Sequence, residues 1–247
     1  MRQAVSVAVT CALVASAVSG CSLLPFGGSP DKGTNGVSGL PAATIEAKSL
    51  AAASAASSVR LSGTVVSGGK LFKLDIRLTN EGGTGEVSTK GSTFSVLRVG
   101  KALYLKADDD FWLEKGSGDE EPTKADTEAA QHLDGMFVKV PESDASYKQL
   151  SGFTDRKVLL DGLLKLQGDV ETGDYAKVGG VPTIGLTVDG GDGGKLEVAL
   201  EGEPYPLRLE RAGGAGVVEL SAWDAEFEVK APRKEEVVDY GEKVGTG

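Results

Sequence analysis

The sequence is poor in the side chains that carry most metal and thiol chemistry. Its 247 residues include one histidine, two cysteines and two methionines. Thiol–imidazole metal sites and cysteine–histidine nucleophilic catalysis therefore lack most of their parts. Basic residues are also few, with 26 Lys and Arg against 36 Asp and Glu and a net charge of −10. Because binding to a phosphate backbone depends on clustered cations, this acidity argues against a nucleic-acid partner.

Glycine, in contrast, is abundant. The chain has 35 glycines, which is about twice the usual share. Glycine without a three-residue period indicates many tight turns. With 40% hydrophobic and 25% charged residues, the composition is that of a folded domain. We therefore expect a chain that reverses its direction often around an apolar core.

The first twenty residues predict a secretory signal peptide. A single cation, Arg2, precedes an apolar stretch from Ala4 to Val18, and small residues follow. This three-part layout is typical of secretory signals and is too short for a membrane-spanning helix.

The end of the predicted signal resembles the lipobox of bacterial prolipoproteins, with Val18, Ser19 and Gly20 before Cys21. That resemblance implies cleavage before Cys21, whose sulfur would carry a diacylglycerol and whose amino group can also be acylated. The alternative is a secreted protein with an incidental cysteine. The position of Cys21 at the expected cleavage point favours the lipid, and two or more acyl chains give stable anchoring.

Residues 21–43 are predicted to be the lipidated cysteine and a flexible tether. Residues 22–43 contain five Gly, three Ser and three Pro, a composition that does not build a core. A flexible chain of this length spans roughly 25–30 Å. We expect one domain over residues 44–240 and a short tail over residues 241–247.

Strict alternation of apolar and polar residues dominates the predicted domain. In Phe72–Leu78 the residues Lys73, Asp75 and Arg77 all point away from the apolar alternates. Period two with one polar face predicts antiparallel strands that are covered on one side. The predicted strands are 59–65, 72–78, 86–89, 94–99, 102–106, 175–178, 183–188, 196–200, 205–209, 217–220 and 225–229.

Helical spacing appears before the first strand and between the two groups of strands. Thr44 is the predicted N-cap of an Ala-rich helix that includes residues 47–56, and residues 127–133, 143–150 and 156–166 are further helix candidates. The fold class predicted from this order is α+β, with one long curved antiparallel sheet, an incomplete barrel, wrapped around a few helices.

This order of elements resembles the actinobacterial LppX/LprG-type envelope lipoproteins, which have a LolA-like fold. Local stretches that carry the resemblance are Gly91–Tyr104, Val178–Thr183, Pro204–Leu209, Leu220–Asp224 and Val229–Pro232. The resemblance covers nearly the whole chain after Cys21. It implies multi-acylated lipids held between sheet and helices and carried across the envelope. Relatives of this fold also act as lipoprotein carriers and envelope-stress sensors, so the fold alone leaves the cargo open.

Several candidate sites have simpler explanations. The acidic clusters Asp108–Asp110 and Asp119–Glu121 lack the spaced ligands of a calcium loop and are predicted to be solvated loops. His132 has no nucleophile motif beside it. Asp161 lies among leucines, where helix-surface exposure is favoured over burial. The pair Phe111-Trp112, like Trp223, lines a cavity mouth or covers the core. We predict no enzyme activity, cofactor or metal.

The leading hypothesis is a protein anchored through Cys21 on the outer face of the cytoplasmic membrane, with a hydrophobic acylated lipid as its ligand and an envelope transporter as a candidate partner. The predicted ligand-binding residues are the inward alternates of the strands and two leucines of the helical insert: Phe72, Leu74, Ile76, Phe94, Val96, Leu103, Leu105, Leu160, Leu163, Ile184, Leu186, Val198 and Leu200. The same residues packed without a gap are simply a core. The alternative hypothesis is an envelope sensor or scaffold that contacts another protein and holds no lipid.

Overall fold

The computed structural model describes residues 34–67, 69–117 and 121–239, which form five α-helices and twelve β-strands. The helices are α1 (Ala42–Ala55), α2 (Asp109–Ser117), α3 (Lys124–Leu133), α4 (Ala145–Thr154) and α5 (Arg156–Leu163). The strands are β1 (Ser58–Ser67), β2 (Lys70–Thr79), β3 (Gly82–Thr89), β4 (Ser92–Val99), β5 (Ala102–Ala107), β6 (Phe137–Val140), β7 (Val170–Val178), β8 (Val181–Val188), β9 (Gly194–Ala199), β10 (Pro206–Arg211), β11 (Gly216–Ser221) and β12 (Val237–Val238).

All twelve strands belong to one sheet with the order β12-β6-β5-β4-β3-β2-β1-β11-β10-β9-β8-β7. Neighbouring strands are antiparallel except β12, which runs parallel to β6. Strand β1 pairs with β2 on one side and with β11 on the other, so it joins the two groups of strands into a single sheet. The predicted fold class, a long antiparallel sheet with a few helices, is confirmed.

The alternation along the strands separates the two faces of the sheet. In β2 the side chains of Leu74, Ile76 and Leu78 are buried, while the charged residues between them are exposed. On the polar face Arg60 of β1 pairs with Asp75 of β2, with Arg60 Nε 2.7 Å from Asp75 Oδ1. The side chains on the apolar side of the sheet point toward the helices, because burial there removes apolar surface from water.

The helices divide the apolar face into two regions. Helix α1 contacts β7, β10 and α5, whereas α2 packs against α3 and β4. Helix α4 contacts β3, β4 and α5, so it links the two groups of helices. Each region of the sheet is therefore covered by a different set of helices.

The Ala-rich helix begins earlier than predicted. It starts at Ala42 with Pro41 at the N-cap, and the amide of Thr44 donates to the carbonyl of Pro41 at 2.8 Å. The segment before it also packs on the domain: Val37 is buried in the core, and the Asn35 amide donates to the Leu200 carbonyl at 2.7 Å. The predicted boundary at residue 44 therefore lies inside a helix, and residues 34–43 belong with the domain.

The middle of the chain contains two elements that the periodicity did not predict. The acidic cluster predicted to be a loop instead begins α2, where Asp108 Oδ1 accepts from the Phe111 amide at 2.9 Å. Acids at a helix N-terminus satisfy free amides and favour its positive end. Strand β6 (Phe137–Val140) was hidden within the predicted helical insert, because four alternating residues are too short to stand out.

The strand predicted over residues 225–229 is wrong. These residues form no regular structure, and the only later strand among the described residues is β12. The chain turns away from the sheet at Ala222 and Asp224, which have φ angles of 51° and 55°. Because β11 already pairs with β1 and β10, no free sheet edge lies beside it for another strand.

Close packing of the strands predicts opposite effects for two glycine substitutions. A Cβ at Gly85 of β3 would lie 2.3 Å from the carbonyl oxygen of Asp75, whereas a Cβ at Gly162 of α5 would meet no atom within 4 Å. We expect Gly85→Ala to lower the free energy of unfolding by about 1–3 kcal/mol, as overpacking does. Gly162→Ala is expected to raise it by about 0.5–1 kcal/mol through helix propensity. Urea denaturation of both variants measures these changes, and equal effects would contradict the register of β2 and β3.

Candidate functional site

The predicted ligand-binding residues lie on the apolar face of the sheet and under the helices. Ten of the thirteen are at most 5 % exposed, and Phe72, Phe94 and Leu163 are partly buried. The ten are Leu74, Ile76, Val96, Leu103, Leu105, Leu160, Ile184, Leu186, Val198 and Leu200. All thirteen therefore point into the interior. Whether any of them binds a ligand stays a prediction.

These residues divide between two apolar clusters. The main core combines residues from α1, α5 and strands of both halves of the sheet, including Leu74, Leu160 and Leu186. The second core lies among α2, α3 and strands β4 to β6 and includes Val96 and Leu103. Phe94 packs against both clusters, and its ring centroid is 5.5 Å from that of Phe111. Phe111 and Trp112 are thus part of the second core.

The main core is closely packed around four of the predicted ligand-binding residues. Ile76, Leu186 and Val198 are 0 % exposed, and Ile184 is 1 % exposed. A side chain with no accessible surface has no space of a water molecule's size beside it, so these residues do not line a cavity in this conformation. Native interiors are packed in this way.

An open groove lies between α1 and α5. Its volume is about 160 Å³, and it is lined by Leu50, Ala53, Ser54, Leu160, Asp161, Leu164 and Lys165. A space of this size is comparable to a cavity that holds one benzene molecule. Three of the lining residues, Ala53, Leu160 and Leu164, also belong to the main core. The floor of the groove is therefore the core itself.

The rim of the groove is polar. Asp161 and Lys165 of the α5 side are exposed, as is Ser54 of α1. The rim carries one acid and one base, so it presents little net charge. The combination of an apolar floor and a polar rim suits an amphipathic molecule. Asp161 is exposed, which agrees with the favoured interpretation of this acid as a helix-surface residue.

One end of the groove is held by Arg156, the first residue of α5. Its guanidinium is buried and donates to the carbonyl oxygens of Ala53 (2.8 Å) and Ser54 (3.2 Å) at the end of α1. It also donates twice to Asn80 Oδ1, at 3.2 and 2.6 Å. A cation at a helix C-terminus satisfies free carbonyls and complements the helix dipole. Arg156 therefore joins α1, α5 and the turn between β2 and β3.

A second arginine holds the neighbouring helix. Arg98 of β4 donates to Thr154 through Nε (3.0 Å to the hydroxyl) and Nη2 (2.7 Å to the carbonyl). Thr154 is the last residue of α4 and is fully buried. The junction between α4 and α5 is thus attached to the sheet by charged hydrogen bonds, while the rest of α5 rests on apolar contacts.

A corner built from Tyr205, Trp223 and Asp224 contacts the chain just after the C-terminal end of α1. The rings of Tyr205 and Trp223 stack with centroids 4.7 Å apart, and the Tyr205 hydroxyl donates to Asp224. Asp224 also accepts from the amide and hydroxyl of Ser57 at 2.6 and 2.9 Å. The positive φ of Asp224 is held by these bonds. This corner includes Pro204–Leu209 and Leu220–Asp224, two of the stretches that carry the resemblance stated above.

The corner makes stability depend on pH at both ends of the scale. Hydrogen bonds from Tyr205 and Ser57 lower the pKa of Asp224, and burial together with Asp224 raises the pKa of Tyr205 to about 12. The contribution of Asp224 to the free energy of unfolding is fully present above the ordinary aspartate pKa of about 4. It is lost as the pH falls through the lowered pKa of Asp224. The contribution of Tyr205 to the free energy of unfolding is fully present below the ordinary tyrosine pKa of about 10. It is lost as the pH rises through the raised pKa of about 12.

Tyr205→Phe tests this dependence. At pH 7 we expect the variant to unfold with a free energy about 1 kcal/mol lower than the wild type, since one hydrogen bond to a partly exposed carboxylate is lost. The difference should stay constant from pH 6 to 9 and shrink above pH 10. Urea denaturation across this range measures it, and a difference that grows above pH 10 would contradict the assigned bond.

The remaining candidates do not form a site among residues 34–67, 69–117 and 121–239. No group of three or more His, Cys, Asp or Glu side chains in these ranges is placed to hold a metal ion. His132 is exposed on α3, and Asp119 and Glu120 lie outside the described residues. Val18, Ser19, Gly20 and Cys21 also lie outside them, so the predicted lipobox stays a prediction. No described helix is long and apolar enough to span a membrane.

Comparison with solved structures identifies the fold. LprF from Mycobacterium bovis superposes with a TM-score of 0.51 at 16% identity, covering 77% of this chain and 96% of LprF. The chain shares the fold of LprF. The Mycobacterium tuberculosis lipoprotein LppX matches with a TM-score of 0.41 at 15% identity, over 76% of this chain and 99% of LppX. No protein-family model and no curated protein matches the sequence. The match to LprF confirms the fold class predicted from the sequence.

The sequence predicted Leu160 of the groove as a ligand-binding residue but did not predict that Leu50 and Ala53 of α1 line the groove or that Arg156 holds one end of it. Leu50 and Ala53 belong to an Ala-rich helix with little contrast between its faces, and Arg156 was treated only as the start of a helix. The available signal was a cation at the first position of α5, directly after Asp155, whose carboxylate caps that helix and accepts from the Val158 amide at 3.0 Å. The acceptors of Arg156 lie 76 and more positions away in the chain, so only folding brings them together.

Proposed function

We propose that this protein binds the acyl chains of a lipid between its sheet and its helices, with access through the groove between α1 and α5. The observation that carries the proposal is the shared floor: Ala53, Leu160 and Leu164 line the open groove and are also part of the main core. A chain that enters the groove is already in contact with the apolar interior.

The filled core requires that α1 move to admit a whole chain, and α1 is weakly held by apolar contacts. Its buried stripe consists of Ile45, Ser49 and Ala53, so it contributes one large fully buried side chain. Burying a residue of that size stabilises by about 1.5–3 kcal/mol. Each buried CH₂ of an acyl chain contributes about 0.8 kcal/mol, so a few methylenes offset the loss of the Ile45 contacts.

The proposed ligand path follows the predicted residues from the groove inward. Leu160 and Leu163 lie at the α5 wall, and Leu74, Ile76, Phe72, Ile184, Leu186, Val198 and Leu200 form the sheet surface below the helices. Phe94 leads from there to the second core, which contains Val96, Leu103 and Leu105. The chain length bound would vary with how far α1 opens.

The headgroup of the ligand would remain at the rim. Asp161 and Lys165 are exposed there and have opposite charges, so an uncharged or zwitterionic headgroup fits better than a strongly anionic one. We propose looser selection for the chain than for the headgroup, because hydrophobic burial is non-directional and polar contacts are directional.

Anchoring completes the proposal. Cys21 would carry the diacylglycerol on the outer face of the cytoplasmic membrane, and the residues between Cys21 and Thr34 would act as the tether. The acidity of the chain leaves the lipid as the anchor, since clustered cations are what attract proteins to anionic membranes. An envelope transporter is a candidate partner for lipid carriage, and no enzyme activity is proposed.

Native mass spectrometry of the full chain carrying Cys21→Ser tests lipid binding without a covalent acyl group at the predicted anchor. The protein would be expressed in a lipid-producing bacterium and also incubated with dipalmitoylglycerol. We expect a mass above that of the polypeptide, equal to one bound lipid. Recovery of the bare polypeptide mass in both samples would overturn the proposal.

A sensor or scaffold without lipid cargo is the second candidate, because the centre of the core is filled. Ile76, Leu186 and Val198 leave no space for a chain in this conformation. This candidate predicts that no lipid is taken up and that α1 stays on the sheet. Amide hydrogen exchange in α1 with and without dipalmitoylglycerol separates the two, since lipid binding must change protection there.

A further inference from the structure

A buried hydroxyl without a hydrogen-bond partner lies beside the groove. Among the described residues, Ser49 Oγ and Trp112 Nε1 are the buried side-chain atoms that lack any partner. Ser49 is 0 % exposed. Buried polar groups are nearly always paired, because an unmade hydrogen bond in the interior is destabilising. Trp112 packs in the second core, whereas Ser49 lies in α1, the helix that forms one wall of the groove.

The position of Ser49 relates it directly to the groove. It occupies the middle of the buried stripe of α1, one turn after Ile45 and one turn before Ala53. Residues four apart lie on the same face of a helix, so Ser49 and Ala53 point to the same side. Ala53 lines the groove, as does Leu50, the residue after Ser49. A serine inside a helix usually bonds to solvent or to the carbonyl four residues before it, and Ser49 does neither.

We infer that the Ser49 hydroxyl donates a hydrogen bond to an ester carbonyl of the bound lipid, so that the ligand is an acyl ester rather than a hydrocarbon or an ether. This inference rests on the proposed function. In an acyl ester the carbonyl is the first carbon of the chain. When the rest of the chain lies in the main core, the carbonyl oxygen is the polar atom closest to α1. A carbonyl oxygen only accepts hydrogen bonds, and the hydroxyl can donate one.

The charges around the groove fit a neutral acceptor. Glu46 lies one turn before Leu50 in α1, and its Oε1 accepts from the Leu166 amide at 3.3 Å. Asp161 and Lys165 of the opposite wall are exposed at the rim. The buried guanidinium of Arg156 already donates to the carbonyls of Ala53 and Ser54 and to Asn80, so a carboxylate beside Ser49 would lose its hydration without a free countercharge. An uncharged ester carbonyl has no such penalty.

Two lipids and two hydroxyl-removing variants test the inference. The probes are dipalmitoylglycerol and the dihexadecyl ether of glycerol, which has chains of equal length and lacks the ester carbonyls. The variants are Ser49→Ala and the matched Thr44→Ala, which removes a hydroxyl from the same helix at an exposed position outside the groove. Affinities would be measured by displacement of a fluorescent fatty acyl probe from the full chain carrying Cys21→Ser.

We expect the wild type to bind the diester about fivefold tighter than the diether, which corresponds to one neutral hydrogen bond. Ser49→Ala should weaken diester binding by about fivefold and leave diether binding unchanged, and Thr44→Ala should change neither. Equal wild-type affinity for the two lipids, or equal losses of both in Ser49→Ala, would overturn the inference. Binding of neither lipid to the wild type would instead overturn the proposed function.

Thermal unfolding without ligand adds a second readout. Both substitutions bring the helix propensity of alanine, and Ser49→Ala also removes the unpaired buried hydroxyl. We expect the unfolding temperature to rise more for Ser49→Ala than for Thr44→Ala, because only Ser49→Ala removes a buried hydroxyl that lacks a hydrogen-bond partner. A lower unfolding temperature for Ser49→Ala would show that the hydroxyl stabilises the empty protein and would contradict the inference.

Discussion

Ser54→Trp is expected to reduce lipid uptake by tenfold or more while the domain stays folded. Ser54 lines the groove and is exposed, so an indole there can occupy the space of about 160 Å³ without entering the core. A ring that fills the groove covers Leu160 and Leu164 and blocks the path to the interior. Native mass spectrometry with dipalmitoylglycerol gives the bound fraction, and circular dichroism confirms that the fold is retained.

Ala51→Trp is the matched control for this substitution. Ala51 belongs to the same helix and is exposed, but it does not line the groove. The control should bind lipid as the wild type does. If both tryptophan variants bind normally, the chain does not enter between α1 and α5, and the proposed access route is wrong. If both lose binding, the effect comes from α1 as a whole and not from the groove.

Arg156→Met is expected to lower the free energy of unfolding by about 3 kcal/mol. The substitution keeps the apolar stem and removes four hydrogen bonds from a buried guanidinium to the end of α1 and to Asn80. Each hydrogen bond to a charged group contributes about 1.5–3 kcal/mol, and the contributions are not additive because the acceptors share one donor group. Urea denaturation measures the loss.

Arg156→Lys is the control that keeps the charge. Lysine has a compact ammonium without the planar fork of arginine, so it can reach fewer of the three acceptors. We expect its loss of stability to be about half that of Arg156→Met. Amide exchange should rise in the last turn of α1 in both variants, and more in Arg156→Met. Unchanged exchange in α1 together with normal stability would show that Arg156 does not hold this helix.

The exchange measurement also bears on how the groove opens. Arg156 joins α1 to α5 at one end of the groove, and at the other end the Leu166 amide bonds to Glu46 at 3.3 Å. Two charged hydrogen bonds join Arg156 to the end of α1, at 2.8 and 3.2 Å, and one bond of 3.3 Å joins Glu46 to Leu166, so opening from the Glu46 end is favoured. The rest of the sheet would serve as a rigid support.

The strands were predictable because their physical signal is local. In β2, Lys73, Asp75 and Arg77 alternate with Leu74 and Ile76, and period-two patterning needs no knowledge of distant residues. Gly179-Gly180 and Gly190-Gly191 mark real turns between strands for the same reason. A single sheet could be predicted because each group of strands has an apolar face that must be buried.

The failures occurred where distant contacts decide the local structure. Residues 225–229 have the alternation of a strand, but the sheet edge that they need is already occupied by β10 and β1. Asn35 and Val37 resemble tether residues in composition. Yet Asn35 donates to the carbonyls of Ala199 and Leu200 at the end of β9, and Val37 is buried in the main core. Neither outcome can be read from a window of the sequence.

The sequence by itself determined the sheet, its polar and apolar faces and the thirteen inward residues, because hydrophobic alternation expresses burial directly. Tertiary structure decided how those residues pack. It filled the centre of the main core, left the groove between α1 and α5, and placed Arg156 and Ser49 at its edges. These features depend on how two helices meet over the sheet, and the contacts that set their separation join residues more than a hundred positions apart.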